Sequence, residues 1–209
     1  MSLTLVVGTK RWSSWSLRPF LSLMATGAPF REVLIELRQP DTKEKILQWS
    51  PSGKIPMLED GGVKVWDSLA ICEYLAERFP EAKLWPESRE ARAHARSISA
   101  EMHSGFVPLR STCPMDVVED QVLAEIPDDV KADVARIDAI WTDCRARFGQ
   151  GGPFLFGAFT NADAMYAPVV TRIRTYSLPV GPVASAYCDA VMALPAMQAW
   201  IKEAKVAGG

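Results

Sequence analysis

The sequence predicts an α/β domain over residues 1–80, a linker over 81–86 and an all-α helical domain over 87–209. Three observations predict this division. Up to Phe79, short β-like runs alternate with helical patterns, the signature of an α/β unit. A proline-bounded stretch follows, Pro80-Glu81-Ala82-Lys83-Leu84-Trp85-Pro86. Beyond it the apolar spacing is helical, and no stretch has the two-residue period of a convincing strand.

Each element has a local reason. Leu3-Thr4-Leu5-Val6-Val7 is an apolar run that reads as a strand, with a helix after it over about 17–26. Pro19 is tolerated in a first turn, so it sets that start and makes Ser16 the expected N-cap. Arg31-Glu32-Val33-Leu34-Ile35 is the second strand, with a weaker helix around 42–49. Residues 56–59 and 63–65 flank Asp60-Gly61-Gly62, a turn signal, and so read as a hairpin. From Ser68 to Phe79, Leu69, Cys72, Leu75, Ala76 and Phe79 fall on one helical face. In the second half, helices are expected over 87–110 with a kink at Gly105 and Pro108, over 117–148 with a break near Pro127, then over 160–175, 182–193 and 195–205. Leu84 and Trp85 predict a linker docked on the core.

Composition narrows the function. The chain has 209 residues, 48% of them hydrophobic, enough for a substantial core. A net charge of −2 provides no basic footprint for nucleic acid. Cys72, Cys113, Cys144 and Cys188 are scattered without metal-ligand spacing, so reduced buried thiols and no metal are expected. Met1-Ser2-Leu3-Thr4 lacks the features of a signal peptide, and no apolar run is long enough for a membrane span. A soluble cytoplasmic protein is the expectation. His94 and His103 are the only two histidines and there is no Gly-x-Ser-x-Gly elbow, which disfavours a serine hydrolase.

Three stretches carry chemistry. In Ser13-Ser14-Trp15-Ser16-Leu17-Arg18, one serine suffices as a cap, and the others are spare hydroxyls in the loop between first strand and first helix. That loop lies at the sheet edge where open α/β sheets bind ligands. Lys54-Ile55-Pro56 enters a strand through an X-Pro bond, a candidate cis peptide that leaves the Ile55 backbone free to pair with an extended peptide. Asp67 and Ser68 stand together at a helix start; one caps, and the other is free beside a helix N-terminus suited to a carboxylate.

In this order and spacing the three resemble the glutathione transferase family, and Ser-Ser-x-Ser-x-Arg is similar to the serine motif of the zeta class, in a bacterial-type member. Thr160-Asn161-Ala162-Asp163 matches the family's buried capping box. The resemblance implies a thioredoxin-like N-terminal domain followed by an all-α C-terminal domain, the glutathione transferase fold. It implies a homodimer, a role in detoxification, glutathione as co-substrate, and a small electrophile as second substrate. Ser13 is then the donor that stabilises the glutathione thiolate, with Ser14 the alternative. Ile55, followed by Pro56, would pair with the cysteinyl backbone. Lys54 would attract the glycyl carboxylate. Ser68 would hold the γ-glutamyl carboxylate, with Asp67 near the ammonium. Trp15, His103, Phe106 and Arg110 are candidates to touch the electrophile, and Tyr166 and Arg172 weaker ones. Trp15 stands where zeta-class isomerases carry cysteine, which weakens a reading as maleylacetoacetate isomerase and disfavours thiol-based reductase chemistry. A non-catalytic binding or scaffold protein of the same fold is the rival reading.

Overall fold

A computed structural model describes residues 3–206. Its first half runs β1 (Leu3–Gly8), α1 (Ser14–Thr26), β2 (Phe30–Ile35), α2 (Thr42–Leu47), β3 (Met57–Asp60), β4 (Val63–Trp66) and α3 (Ser68–Arg78). The four strands form one mixed sheet in the order β2-β1-β3-β4. β1 is parallel to β2 and antiparallel to β3, and β3 and β4 form the expected hairpin. This is a thioredoxin-like arrangement. β1 is buried along its whole length, because α1 and α3 cover one face of the sheet while Val6, Ile35, Ile46 and Met57 make a smaller core on the other.

The second half is helical: α4 (Arg89–Ser104), α5 (Val107–Thr112), α6 (Asp128–Phe148), α7 (Asn161–Thr175), α8 (Pro182–Met192) and α9 (Pro195–Val206). Between the halves, Pro80–Ala82 is a single 3-10 turn, and Leu84 and Trp85 are buried, so the segment is docked. α7 lies at the centre of the second half, and the capping box is present at its start: Thr160 N–H donates to Asp163 Oδ2 at 2.8 Å.

Three expectations need correction. α1 begins at Ser14 with Ser13 as its N-cap, not at Leu17 with Ser16. Pro19 therefore stands beyond the first turn, and the helix forgoes the bond its N–H would have made. The expected kink in 87–110 is a full break, with Gly105 ending α4 and Phe106 in the left-handed region at φ 56° before Pro108 opens α5. Residues 117–126 are not helical. The Asp116 carboxylate takes the N–H groups of Val118 and Glu119 and pairs bidentately with Arg11 of the first half, which holds this stretch as a turn.

Candidate active site

The register brings the three motifs to one end of the sheet. Val6 pairs with Met57 and Met57 with Trp66, so the loops that follow β1, precede β3 and follow β4 meet at the same edge. Gly8 makes this approach possible. A Cβ there would stand 2.8 Å from Ile55 Cδ1, 2.9 Å from Leu37 Cδ1 and 3.0 Å from Ser13 Oγ. The absence of a side chain at Gly8 thus lets the serine loop and the Ile55 loop both close on the end of β1.

Against this edge lies a cavity of about 660 Å³, lined by Trp15 of α1, Ser52, Lys54, Ile55 and Pro56 of the loop before β3, Trp66, Asp67 and Ser68 at the β4–α3 junction, and His103 of α4. Both halves of the chain wall it. The Ile55-Pro56 peptide is cis, as its sequence context suggests, and Ile55 precedes β3 without joining the ladder.

The Asp67–Ser68 pair divides its work as the sequence allows. Asp67 caps α3, its Oδ1 accepting from Leu69 N–H at 2.9 Å and Ala70 N–H at 3.3 Å. Its backbone is held at φ 75°, ψ 133°, a region a non-glycine residue occupies only at a cost of about 1–3 kcal/mol. That turn aims its second oxygen across the cavity to His103 Nε2, 3.1 Å away. Ser68 is the spare residue, buried at the first position of α3, and its hydroxyl lies 3.5 Å from Arg18 Nη1.

The serine cluster differs from expectation. Ser13 is 7% exposed, and its hydroxyl donates to Ser16 Oγ at 2.7 Å. Ser16 Oγ also accepts the Gly8 N–H at 3.1 Å. Ser14 is half-buried at the start of α1. Neither Ser13 nor Ser14 is among the residues that wall the cavity, although Ser13 Oγ and the wall residue Ile55 both approach Gly8 closely.

Of the residues expected to bind glutathione, Lys54, Ile55, Pro56, Asp67 and Ser68 all face this one cavity. Of the electrophile candidates, Trp15 and His103 line it, with their rings in edge contact at 5.2 Å. Phe106 is buried and Arg110 lies behind Trp15, its guanidinium 5.5 Å from that ring. Tyr166 and Arg172 are core residues that donate to backbone carbonyls. Sequence reasoning missed Ser52 and Trp66 in the wall, and it gave no role to Arg18, the last residue of the serine motif, which contacts the wall residues Trp15 and Ser68. Arg18 had a signal, a single cation in the apolar run Leu17–Leu23.

No cysteine reaches the cavity. All four are buried and free, and burial pushes the thiols of Cys72, Cys144 and Cys188 up to about 12. No cluster of potential metal ligands occurs among the described residues, and no described helix is long and apolar enough to cross a membrane.

Fold and site together define a two-part protein with a cavity at one edge of a thioredoxin-like sheet, walled on one side by a helix of the second half. The family model "Glutathione S-transferase, N-terminal domain" matches residues 12–78, and "Glutathione S-transferase, C-terminal domain" matches residues 120–203. The chain belongs to the glutathione transferase family. It is 36% identical over 98 residues to a probable maleylacetoacetate isomerase of Caenorhabditis elegans, a match that spans 47% of this chain and 45% of that one. It is 28% identical over 192 residues to the maleylacetoacetate isomerase of Rattus norvegicus, covering 89% and 87%. Among solved structures, a glutathione transferase homologue from Burkholderia with bound glutathione superposes with a TM-score of 0.73 at 25% identity, over 99% of this chain and 100% of that one.

Proposed function

We propose that this protein is a glutathione transferase that binds glutathione in the cavity at the sheet edge and activates its thiolate with the Ser13 hydroxyl for attack on a small hydrophobic electrophile. The observation that carries the reading is the convergence of Lys54, Ile55, Asp67 and Ser68 on one cavity. Each matches one part of the tripeptide. Ile55 supplies backbone groups for the cysteinyl unit, as an edge strand does. Lys54 faces the glycyl carboxylate. Ser68 and the N-terminus of α3 take the γ-glutamyl carboxylate, and Asp67 takes the ammonium.

Ser16 and Ser13 then form a relay. Ser16 already receives the Gly8 N–H, so its own proton is free to turn toward Ser13. Ser13 can then donate outward to sulfur. A chain of donors polarised in one direction is stronger than a lone hydroxyl, and a hydrogen bond to the anion favours the thiolate. Ser14, at the first turn of α1, is the alternative donor.

The protein acts in the cytoplasm as a homodimer, with the exposed Val63 and Trp66 of β4 contributing apolar surface to the contact. Light scattering at micromolar concentration should give twice the chain mass; a monomer mass would refute the dimer.

A second reading has one observation in its favour. The Ser13 proton is engaged by Ser16, which suits a protein that binds glutathione without turning it over. Steady-state assays with glutathione and a chloronitrobenzene, an organic hydroperoxide, a cis-enone acid and a dihaloacetate separate the two. Turnover of any one, lost in Ser13→Ala, supports the transferase. Glutathione binding with silence across the panel supports the non-catalytic reading.

A further inference from the structure

Lys10 lies in the loop after β1, shortly before Ser13, and is only 4% exposed. Enclosing an ammonium is unfavourable unless it is paired. Lys10 is paired by both halves of the chain: its Nζ lies 2.7 Å from Glu32 Oε1 of β2 and also bonds Glu203 of α9. It stands over the rings of Phe20 of α1 and Trp200 of α9, 5.0 and 5.1 Å from their centroids. The main chain is gripped at the same residue, because the buried Trp200 Nε1 donates to the Lys10 carbonyl at 2.8 Å.

Docking α9 does not require this charge. The helix already buries Met197, Trp200 and Ala204, and an apolar side chain at position 10 would serve Phe20 and Trp200 as well. Apolar packing has no direction, however. Carboxylates from two elements and an indole N–H give residue 10 a fixed place. From there the constraint reaches Ser13 within one turn. The Thr9 carbonyl accepts the Trp12 N–H at 3.0 Å and the Ser13 N–H at 2.9 Å. The Thr9 hydroxyl accepts the Leu37 N–H at 2.8 Å. Ser13 makes no side-chain cap bond to α1, so this turn and Ser16 set the direction of its hydroxyl.

We propose that α9 is a brace for the thiol-activating loop, with Trp200 and Glu203 as positioning residues that act through Lys10 on the Ser13 hydroxyl. The inference rests on the reading of Ser13 as the group that activates glutathione. None of Lys10, Trp200 and Glu203 is among the residues that wall the cavity, so the brace acts on geometry and not by touching the ligand. A hydrogen bond weakens steeply with misalignment, and a small displacement of a reacting group costs rate. Loosening the brace should therefore change the titration of the bound thiol and leave the affinity for the tripeptide alone.

The test follows the thiolate absorbance of bound glutathione against pH in wild type, Trp200→Phe and Lys10→Met, each also made on the Ser13→Ala background. Calorimetry with S-methylglutathione, which has no thiol, reads affinity alongside. Trp200→Phe keeps an aromatic ring and deletes the donor to the Lys10 carbonyl. Lys10→Met keeps an unbranched stem, deletes the charge and leaves two partly exposed carboxylates, so it covers a failure of the Trp200 variant to fold. In either variant the thiol midpoint should rise by about half a pH unit, roughly a threefold loss in the thiolate equilibrium, with S-methylglutathione affinity within about twofold of wild type. On the Ser13→Ala background neither change should shift the midpoint further. A midpoint unmoved in a folded variant, or the same shift with and without Ser13, would overturn the proposal and leave α9 a purely structural helix. So would S-methylglutathione binding that weakens in step with the midpoint, because the changes would then act on the cavity itself. A midpoint that Ser13→Ala alone fails to move would instead refute the reading of Ser13, and the brace with it.

Discussion

At the scale of single residues, the hydroxyl that meets sulfur decides how the thiol is activated. Ser16→Ala removes the inner member of the relay without touching the cavity wall. It should reduce kcat several-fold and leave the KM for glutathione near wild type. An unchanged kcat would dismiss the relay. Gly8→Ala should act on binding. Its methyl would meet the Ile55 and Ser13 side chains at 2.8 and 3.0 Å, so the two loops must part and the KM for glutathione should rise. The cysteines should be silent. With thiols buried and pushed up, native protein at about pH 8 should give no fast reaction with a disulfide reagent, whereas denatured protein should give all four. The convergence of Lys54, Ile55, Asp67 and Ser68 on one cavity was legible because each sits in a motif whose chemistry is local: a cap, a pre-proline strand start, a cation in a loop. The donor–acceptor order among Ser13, Ser14 and Ser16 was not. It depends on Gly8, five residues before Ser13, and on a helix start that the proline rule placed too late.

Among the elements, the capping box of α7 is the one with a measurable pH signature. Asp163 is completely buried, which lifts its pKa from 3.8 to about 6 despite bonds from the Leu155 and Thr160 N–H groups and the Thr160 hydroxyl. The native state then binds the proton more tightly than the unfolded chain. Its contribution to stability is present below about pH 4 and falls as pH rises to about 6, by roughly 3 kcal/mol in all. Urea midpoints of wild type and Asp163→Asn, compared between about pH 4 and pH 6.5, should show this fall in wild type and not in the variant. A parallel pH dependence would remove Asp163 as its source. The box was readable from Thr160 and Asp163 alone, since both partners lie within one turn. The non-helical 117–126 was not readable, because the pairing that holds it, Arg11 with Asp116, spans the two halves of the chain.

The whole molecule is joined across its two halves by buried polar contacts as well as by apolar packing. Ser22 of α1 donates to Asn161 Oδ1 at 2.7 Å, and Asn161 Nδ2 donates to the Cys72 carbonyl at 2.9 Å. Lys10, after β1, pairs with Glu32 and with Glu203 of α9, and Trp200 Nε1 donates to its carbonyl at 2.8 Å. One apolar core runs through both halves. The molecule should therefore unfold as one unit, with indole fluorescence and far-ultraviolet dichroism tracing the same transition. Asn161→Ala should move both probes together, by roughly 1–3 kcal/mol, because it leaves buried partners unsatisfied. The alternation of strands and helices made the architecture legible. The interdomain contacts were not, since neither partner carries a local pattern that names the other.

The most direct measurement is the pH titration of thiolate absorbance for glutathione bound to wild type, Ser13→Ala and Ser14→Ala. In wild type the thiol should titrate below the usual value of about 8.5. In Ser13→Ala it should move up by about 1–2 units, the worth of one hydrogen bond to an anion. A midpoint unmoved in Ser13→Ala, with a shift in Ser14→Ala or in neither, would contradict the assignment of Ser13 as the group that activates the thiol.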